Sequence, residues 1–333
     1  MHPFEHINAP DIRTAIALLS EPEAEALAGG TDLLGELKRK IRQPQRLVNL
    51  KTIPGLDRIH DEKALRIGAL VTVGEMEHHP VVLEKFPALA QAVSLAATPQ
   101  LRNMGTVAGN LCQHPRCWYY RSPLFGCWLK GGKKCFAVHG ENKYHAILGD
   151  GICHAVHPSD LAPALIALDA RVQVVGPKVN REIPLEELYA MPSPHRRQMT
   201  TLGRGDLITQ VDVPEPSKES RGIYLKAMER GAWSFASVSV AAHLSLDGNF
   251  LAGARLVLGG VAPVPWRAKE AERILQGQKF SEGLARAAGE AAMADARPLR
   301  NNEYKIELAK ALIRQALRTV ASSTPKFQNS EFH

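Results

Sequence analysis

The amino-acid sequence predicts an α+β protein built in two parts, and three observations carry that prediction. The chain has 333 residues, 45% of them hydrophobic and 23% charged, enough for two domains with ordinary soluble cores. In the first part, short apolar segments alternate with helical spacing and glycine turns. After "VPEPSKESRG" (213–222), "GIYLKAM", "SVSVAAHLSL" and "GARLVLGGV" alternate or run apolar around an Asp247–Gly248 turn, the pattern of an antiparallel sheet.

The elements follow in order. "FEHINAP" reads as a strand and "DIRTAIALLS" as a helix capped by Asp11. "AEALAGG" is a strand ending in two glycines, and "TDLLGELKRK" opens a helix with Thr31 and Asp32 in its first turn. "RLVNL" is a strand, and "LDRIHDEKALRIGAL" a strand pair turning at Asp61–Lys63. "FPALAQAVSLAA" has helical spacing. Gly126, Gly131, Gly132 and Gly140 break any long element in the stretch that follows. "PSDLAPALIALDA" restarts a helix behind Pro158 and Ser159, and "RVQVV" is a strand. Three helices, around Lys269–Leu275, Gly283–Ala294 and Glu303–Val320, close the chain before a loose tail.

The net charge is +7, but the basic residues are scattered and form no stripe of five. A solvated basic surface or an acidic protein partner is expected, not nucleic acid. No apolar run approaches the ~18 residues that span a bilayer. The first residues lack a basic leader and apolar core, so synthesis in the cytoplasm is expected. Reduced thiols follow from that compartment, and five cysteines do not pair evenly.

Two small-residue loops could hold an anion. "LAGGTDLL" (27–34) places two glycines between strand and helix, where backbone amides can face negative charge. "GTVAGNL" (105–111) lies about 75 residues further on, behind "TPQLRN". Neither matches the dinucleotide fingerprint or the P-loop. Together they suit a long ligand with a pyrophosphate middle.

"RCWYYRSPLFGCWLKGGKKC" (116–135) and "DGICHAVHPSD" (150–160) hold Cys117, Cys127, Cys135 and Cys153, at intervals of 10, 8 and 18. Structural zinc usually offers a short C-x₂₋₄-C pair, absent from this stretch. Iron–sulfur clusters accept looser spacing, and Arg116, Lys130, Lys133 and Lys134 could offset their charge. On residues alone, an iron–sulfur cluster, zinc and unligated thiols all stay open. The histidines form no H-E-x-x-H or His₃ set. His154 and His157 lie nearest the cysteine and "PSD" motifs, where either could tune a potential.

"AGGTDLL", "QLRNMGTVAGNL", "HPSDLAPALIALDA" and "LVLGGVAPVPWRA", in that order over nearly the whole chain, resemble the flavin-binding subunit of molybdenum hydroxylases. That family includes xanthine dehydrogenase, carbon monoxide dehydrogenase and bacterial aldehyde oxidoreductases. The resemblance implies a two-subdomain FAD-binding (PCMH-type) domain over 1–219, divided near residue 55, then a C-terminal α+β domain over 220–322 like that of the carbon monoxide dehydrogenase flavoprotein, and a tail over 323–333. It implies FAD bound by Ala28, Gly29, Gly30, Thr31, Asp32 and Leu33, with Thr106, Ala108, Gly109 and Asn110 as a second wall. Family members often carry glycine where Ala108 stands. Asp160 would bond the ribityl or flavin region, and Leu202 and Lys226 would lie against the flavin.

Two branches of the family carry a cysteine-bearing insertion, here 112–153: the 4-hydroxybenzoyl-CoA reductase type and the bacterial aldehyde oxidoreductase type, to which this pattern is closer. The resemblance implies a [4Fe–4S] cluster on Cys117, Cys127, Cys135 and Cys153, with Cys112 outside it. It also implies a heterotrimer with a large molybdopterin subunit that oxidises an aldehyde and a small subunit with two [2Fe–2S] clusters. FAD would collect two electrons for an external acceptor, and no catalytic acid, base or nucleophile is expected in this chain. Co-export with a partner would place it in the periplasm. The rival readings are a self-sufficient FAD oxidase or dehydrogenase and a zinc-stapled binding protein without redox chemistry.

Overall fold

The computed structural model describes residues 1–231 and 233–322, and three sheets order them. Strands β1 (Glu5–Asn8), β2 (Ala24–Leu27) and β3 (Arg46–Asn49) are parallel, in the order β1-β3-β2. The crossover from β1 to β2 is the helix Ile12–Ser20, where the Asp11 side chain accepts from Thr14 N at 2.7 Å and Ala15, Ile16 and Leu19 are buried. The crossover from β2 to β3 runs through the helix Leu33–Lys38. Thr31, expected inside that helix, stands before it; Gly30 turns there with φ +72, a conformation glycine adopts without strain.

The second sheet is antiparallel, in the order β4-β5-β8-β6-β7: β4 (Ile59–His60), β5 (Ala64–Gly68), β6 (Arg171–Val175), β7 (Asn180–Pro184) and β8 (Leu207–Pro214). Strand β8, the middle one, left no recognised signal in the residue pattern. Its inward Val211 and Val213 are fully buried between polar neighbours, a period-2 pattern short enough to pass for a loop. The helices Pro87–Ser94 and Leu161–Ala167 pack on this sheet in one apolar core.

The third sheet runs β12-β11-β10-β9: β9 (Ser220–Ala227), β10 (Val238–Asp247), β11 (Phe250–Gly259) and β12 (Trp266–Arg267). Alternation divides its faces. Val240, Ala242 and Leu244 join the core under the helices Lys269–Leu275, Glu282–Met293 and Tyr304–Ser322, whereas Tyr224, Ala241 and Val257 join the core of the first part. Both faces are thus buried, each large apolar side chain contributing about 1.5–3 kcal/mol. No described helix is long and apolar enough to cross a membrane. The tail over 323–333 lies outside the described residues.

Candidate flavin cavity and thiol site

The two glycine loops meet. A Cβ on Gly29 would run into the carbonyl oxygen of Met104, and one on Gly105 would come within 3.5 Å of Thr31 Oγ1. Backbone lies against backbone where the loops meet, and both line a cavity of about 440 Å³. Ala28 to Leu33, Thr106, Ala108, Gly109, Asn110, Asp160 and Leu202 all line it. Lys226 is not among the lining residues.

The loops differ in what they offer. Among the described residues, the amides of Gly29 to Leu33 have no intrachain acceptor, so five N–H groups are available beside the cavity. The second run is a short helix, Val107–Leu111, not the loop its glycines suggest: Thr106 Oγ1 caps it by accepting from Gly109 N at 3.2 Å. Val107 N donates to Val71 O, Ala108 N to Ala69 O and Asn110 N to Thr106 O. The amides of Val107 to Asn110 are therefore all taken within the chain. The Asn110 carbonyl oxygen Oδ1 accepts from Ser159 Oγ at 2.5 Å, joining that helix to the "PSD" motif.

Asp160 is 5% exposed. Its carboxylate accepts from Tyr224 Oη at 2.7 Å and from Lys226 Nζ at 2.8 Å, while Lys226 also donates to Leu95 O. Burial pushes the Asp160 carboxyl up, against the ammonium and the phenol that hold it down. Lys226, whose side chain is fully buried, is thus neither a surface lysine nor a cavity residue, but the partner behind Asp160. Sequence reasoning missed this joint because Tyr224 and Lys226 belong to β9, more than 60 residues away. It also missed Arg116 and Phe235, which line the cavity 5.0 Å from each other, guanidinium over ring.

Cys117, Cys127, Cys135 and Cys153 all wall one small separate cavity, with Tyr119, Tyr120, Trp128 and Phe136 around them. Cys112 lines the flavin cavity instead, and burial raises its thiol pKa to about 12. Cys117 begins the helix Trp118–Arg121, and the amides of Tyr119 and Tyr120 favour its thiolate, as the Ala155 amide does for Cys153. Burial prevails in both, to about 11 and about 12. Zinc would draw thiolates to ~3.8 Å from each other. Among the described residues, no three cysteine sulfurs lie within 4.8 Å of one another. No three of the four thiols thus stand as close as zinc would draw them, and amide donors lie beside Cys117 and Cys153, a donor set that suits an iron–sulfur cluster.

Neither His154 nor His157 touches these thiols. His157 packs edge-on against Tyr189 at 4.8 Å, beneath the Val107–Leu111 helix. The histidine in contact is His145, with Nε2 3.2 Å from Cys117 Sγ and burial holding its pKa down to about 4. Nothing in the sequence distinguished it from its neighbours.

The family described as "FAD binding domain in molybdopterin dehydrogenase" matches residues 2–216, and "CO dehydrogenase flavoprotein C-terminal domain" matches 223–320. The aldehyde oxidoreductase FAD-binding subunit PaoB of Escherichia coli (strain K12) is 37% identical over 319 residues, 94% of this chain and 96% of that protein. The carbon monoxide dehydrogenase medium chain of Hydrogenophaga pseudoflava is 28% identical over 94% of this chain and 96% of its own length. A solved structure of carbon monoxide dehydrogenase from that organism, lacking the Mo-pyranopterin moiety, superimposes with a TM-score of 0.77 at 25% identity, covering 96% of this chain and 97% of that one. Quinoline 2-oxidoreductase from Pseudomonas putida 86 shares the fold, with a TM-score of 0.74. The chain therefore belongs to the FAD-binding flavoprotein subunits of the molybdenum hydroxylases, an oxidoreductase family.

Proposed function

We propose that the chain is the FAD- and [4Fe–4S]-bearing electron-transfer subunit of a heterotrimeric molybdenum-dependent aldehyde oxidoreductase. Its partners are a large molybdopterin subunit and a small subunit with two [2Fe–2S] clusters, and an external acceptor takes the electrons. The observation that carries the cluster is the convergence of Cys117, Cys127, Cys135 and Cys153 on one cavity, apart from Cys112. The name of the PaoB subunit speaks of FAD; the cluster rests on these thiols.

Bound FAD supplies a two-electron store and a cluster a one-electron site, so the protein's part is to hold and tune them. The free amides of Gly29 to Leu33, with Ala28 and the Thr31 hydroxyl beside them, hold the pyrophosphate. Thr106, Ala108, Gly109 and Asn110 close the opposite wall. Asp160 and Leu202 face the flavin end, and Lys226 holds the Asp160 carboxylate in place from behind. The aromatic shell around the thiols excludes water. The FAD-binding domain spans 1–219 and the C-terminal domain 220–322.

The test is an anaerobic absorption spectrum with iron, sulfide and zinc analysis, on wild type and five Cys→Ser variants. Flavin with an iron–sulfur shoulder is expected, iron being lost from the Cys117, Cys127, Cys135 and Cys153 variants and retained by Cys112→Ser. Zinc in place of iron, or iron loss confined to Cys112→Ser, overturns the assignment. Aldehyde turnover by the chain alone overturns the subunit reading.

A further inference from the structure

The flavin loop and the thiol insertion are joined by one polar cluster. Asp32, from the flavin loop, accepts from His114 N at 2.8 Å, from Arg121 Nη2 at 2.7 Å and from Arg116 Nη1. One turn along the same helix, the fully buried Glu36 meets His114 Nδ1 at 2.9 Å and Arg121 Nη1 at 3.2 Å. Arg121 also donates to Pro115 O and His114 O, so its guanidinium binds the insertion to itself as well as to the flavin loop. Burial alone would raise the Asp32 carboxyl, but the two arginines outweigh it and hold its pKa below the usual value. The oxygens and nitrogen of Asp32, Glu36 and His114 lie within 4.8 Å of one another, but two guanidiniums already balance their charge, so this is a joint, not a cation site.

The arginines bracket the first thiol. Arg116 precedes Cys117, and Arg121 closes the one-turn helix that Cys117 begins, Arg121 N donating to Cys117 O at 2.9 Å. Cys117 cannot shift without dragging one or both guanidiniums across Asp32. Asp32 sits between the free amides that face the cavity and the helix that carries Glu36.

We propose that Asp32 and Glu36 are positioning residues for Cys117, so that occupancy of the flavin cavity and order at the thiol site are thermodynamically coupled. A ligand that orders the Gly29–Leu33 loop orders the joint, and the joint orders the first thiol; by linkage the effect runs equally in reverse. The proposal rests on the four thiols forming one site, not on which metal they hold.

The test uses the metal-free full chain and the alkylation rate of each cysteine, read by mass spectrometry with and without saturating FAD. Cys112 lines the flavin cavity, so its protection reports FAD occupancy directly. In wild type, FAD is expected to slow alkylation of Cys117 by about tenfold, the size of an ordinary coupling. In Glu36→Gln, which cuts the joint without touching the loop that holds FAD, Cys112 should stay protected while protection of Cys117 is lost. Arg121→Gln cuts the joint from the insertion side, leaves the flavin loop's own residues intact, and should give the same split. Equal protection of Cys117 in wild type and both variants overturns the coupling, as does no effect of FAD on Cys117 in wild type. None of these outcomes depends on iron, so they stay separable from the metal analysis.

Discussion

The flavin cradle and the thiol insertion lie on either side of one carboxylate, yet different physics holds them. The cradle is made of backbone: Gly29 lies against the Met104 carbonyl, and a run of free amides faces the cavity. The insertion has almost no regular structure of its own and is pinned from outside by side chains. Arg197 donates to Trp128 O and Gly132 O; Asn302 donates to His145 O and Ala146 O; Lys305 donates to Tyr144 O, His145 O and Gly260 O. Close backbone contact demands glycine at set positions, so it leaves a motif. Pinning by distant side chains demands only that the pins exist somewhere, so the spacing between thiols is free to be irregular.

The sharpest way to break the cradle is to fill its contact. Gly29→Ala drives a methyl into a backbone carbonyl that cannot swing away, an overpacking of about 1–3 kcal/mol or more. The expected outcome is loss of most of the flavin from purified protein, with circular dichroism showing the fold retained. Full flavin content would show that the two loops part easily.

The corresponding break for the insertion is Lys305→Met. Lys305 is fully buried, and burial pushes its pKa down to about 7. The three carbonyls at 2.8–3.0 Å oppose that, because a neutral amine carries only two hydrogens and cannot fill all three. Removing the donor strands at least two acceptors and should cost about 3 kcal/mol in urea unfolding. Alkylation of the insertion's thiols should quicken while FAD affinity stays near wild type. A change in FAD affinity as large as that in stability would mean the C-terminal pins also shape the cradle.

The same contrast explains how much was legible in advance. The strands β1 to β3, the Asp11 cap, the Asp61–Lys63 turn and the sheet from β9 to β11 follow from local alternation and turn chemistry, and the structure has them. Ala28 to Leu33 line the cavity because a strand–glycine–helix turn can do little else with its amides. Lys226 and His145 were not legible. Lys226 finds Asp160 from a strand 66 residues along the chain, and His145 is singled out by Asn302 and Lys305 binding its carbonyl. Thr106 shows the middle case: its glycine-bearing neighbours suggest a loop, but a hydroxyl three residues before Gly109 is an N-cap signal, and a short helix results.

A gentler change sharpens the difference between the cradle's two walls. A Cβ at Gly109 would stand 2.8 Å from Thr106 Oγ1, a side-chain atom able to turn aside at the cost of the cap. Gly109→Ala should therefore cost about 1 kcal/mol of stability, and weaken FAD binding far less than Gly29→Ala. Equal losses from the two substitutions would mean that both walls touch the cofactor through backbone alike.

The smallest expected effect belongs to the joint between the regions, and pH isolates it. Asp32 has its pKa lowered in the fold, because Arg116 and Arg121 outweigh burial. A carboxyl lowered on folding stabilises the native state fully above its unfolded value, 3.8, and loses that contribution as pH falls through the lower folded value. Wild type should therefore exceed Asp32→Asn in stability by a constant margin from neutral pH down to about 4, and the margin should shrink only below that. The exposed pair Glu282–Arg318 lies on the far helices, and Glu282→Gln gives a reference for acid effects unrelated to the joint. Urea midpoints for wild type and both variants between pH 3 and pH 7 make the comparison. If the margin for Asp32→Asn stays constant below pH 3.8, the carboxylate's charge is not what holds the insertion to the cradle, and the hydrogen-bond geometry that asparagine can partly keep must carry the joint instead.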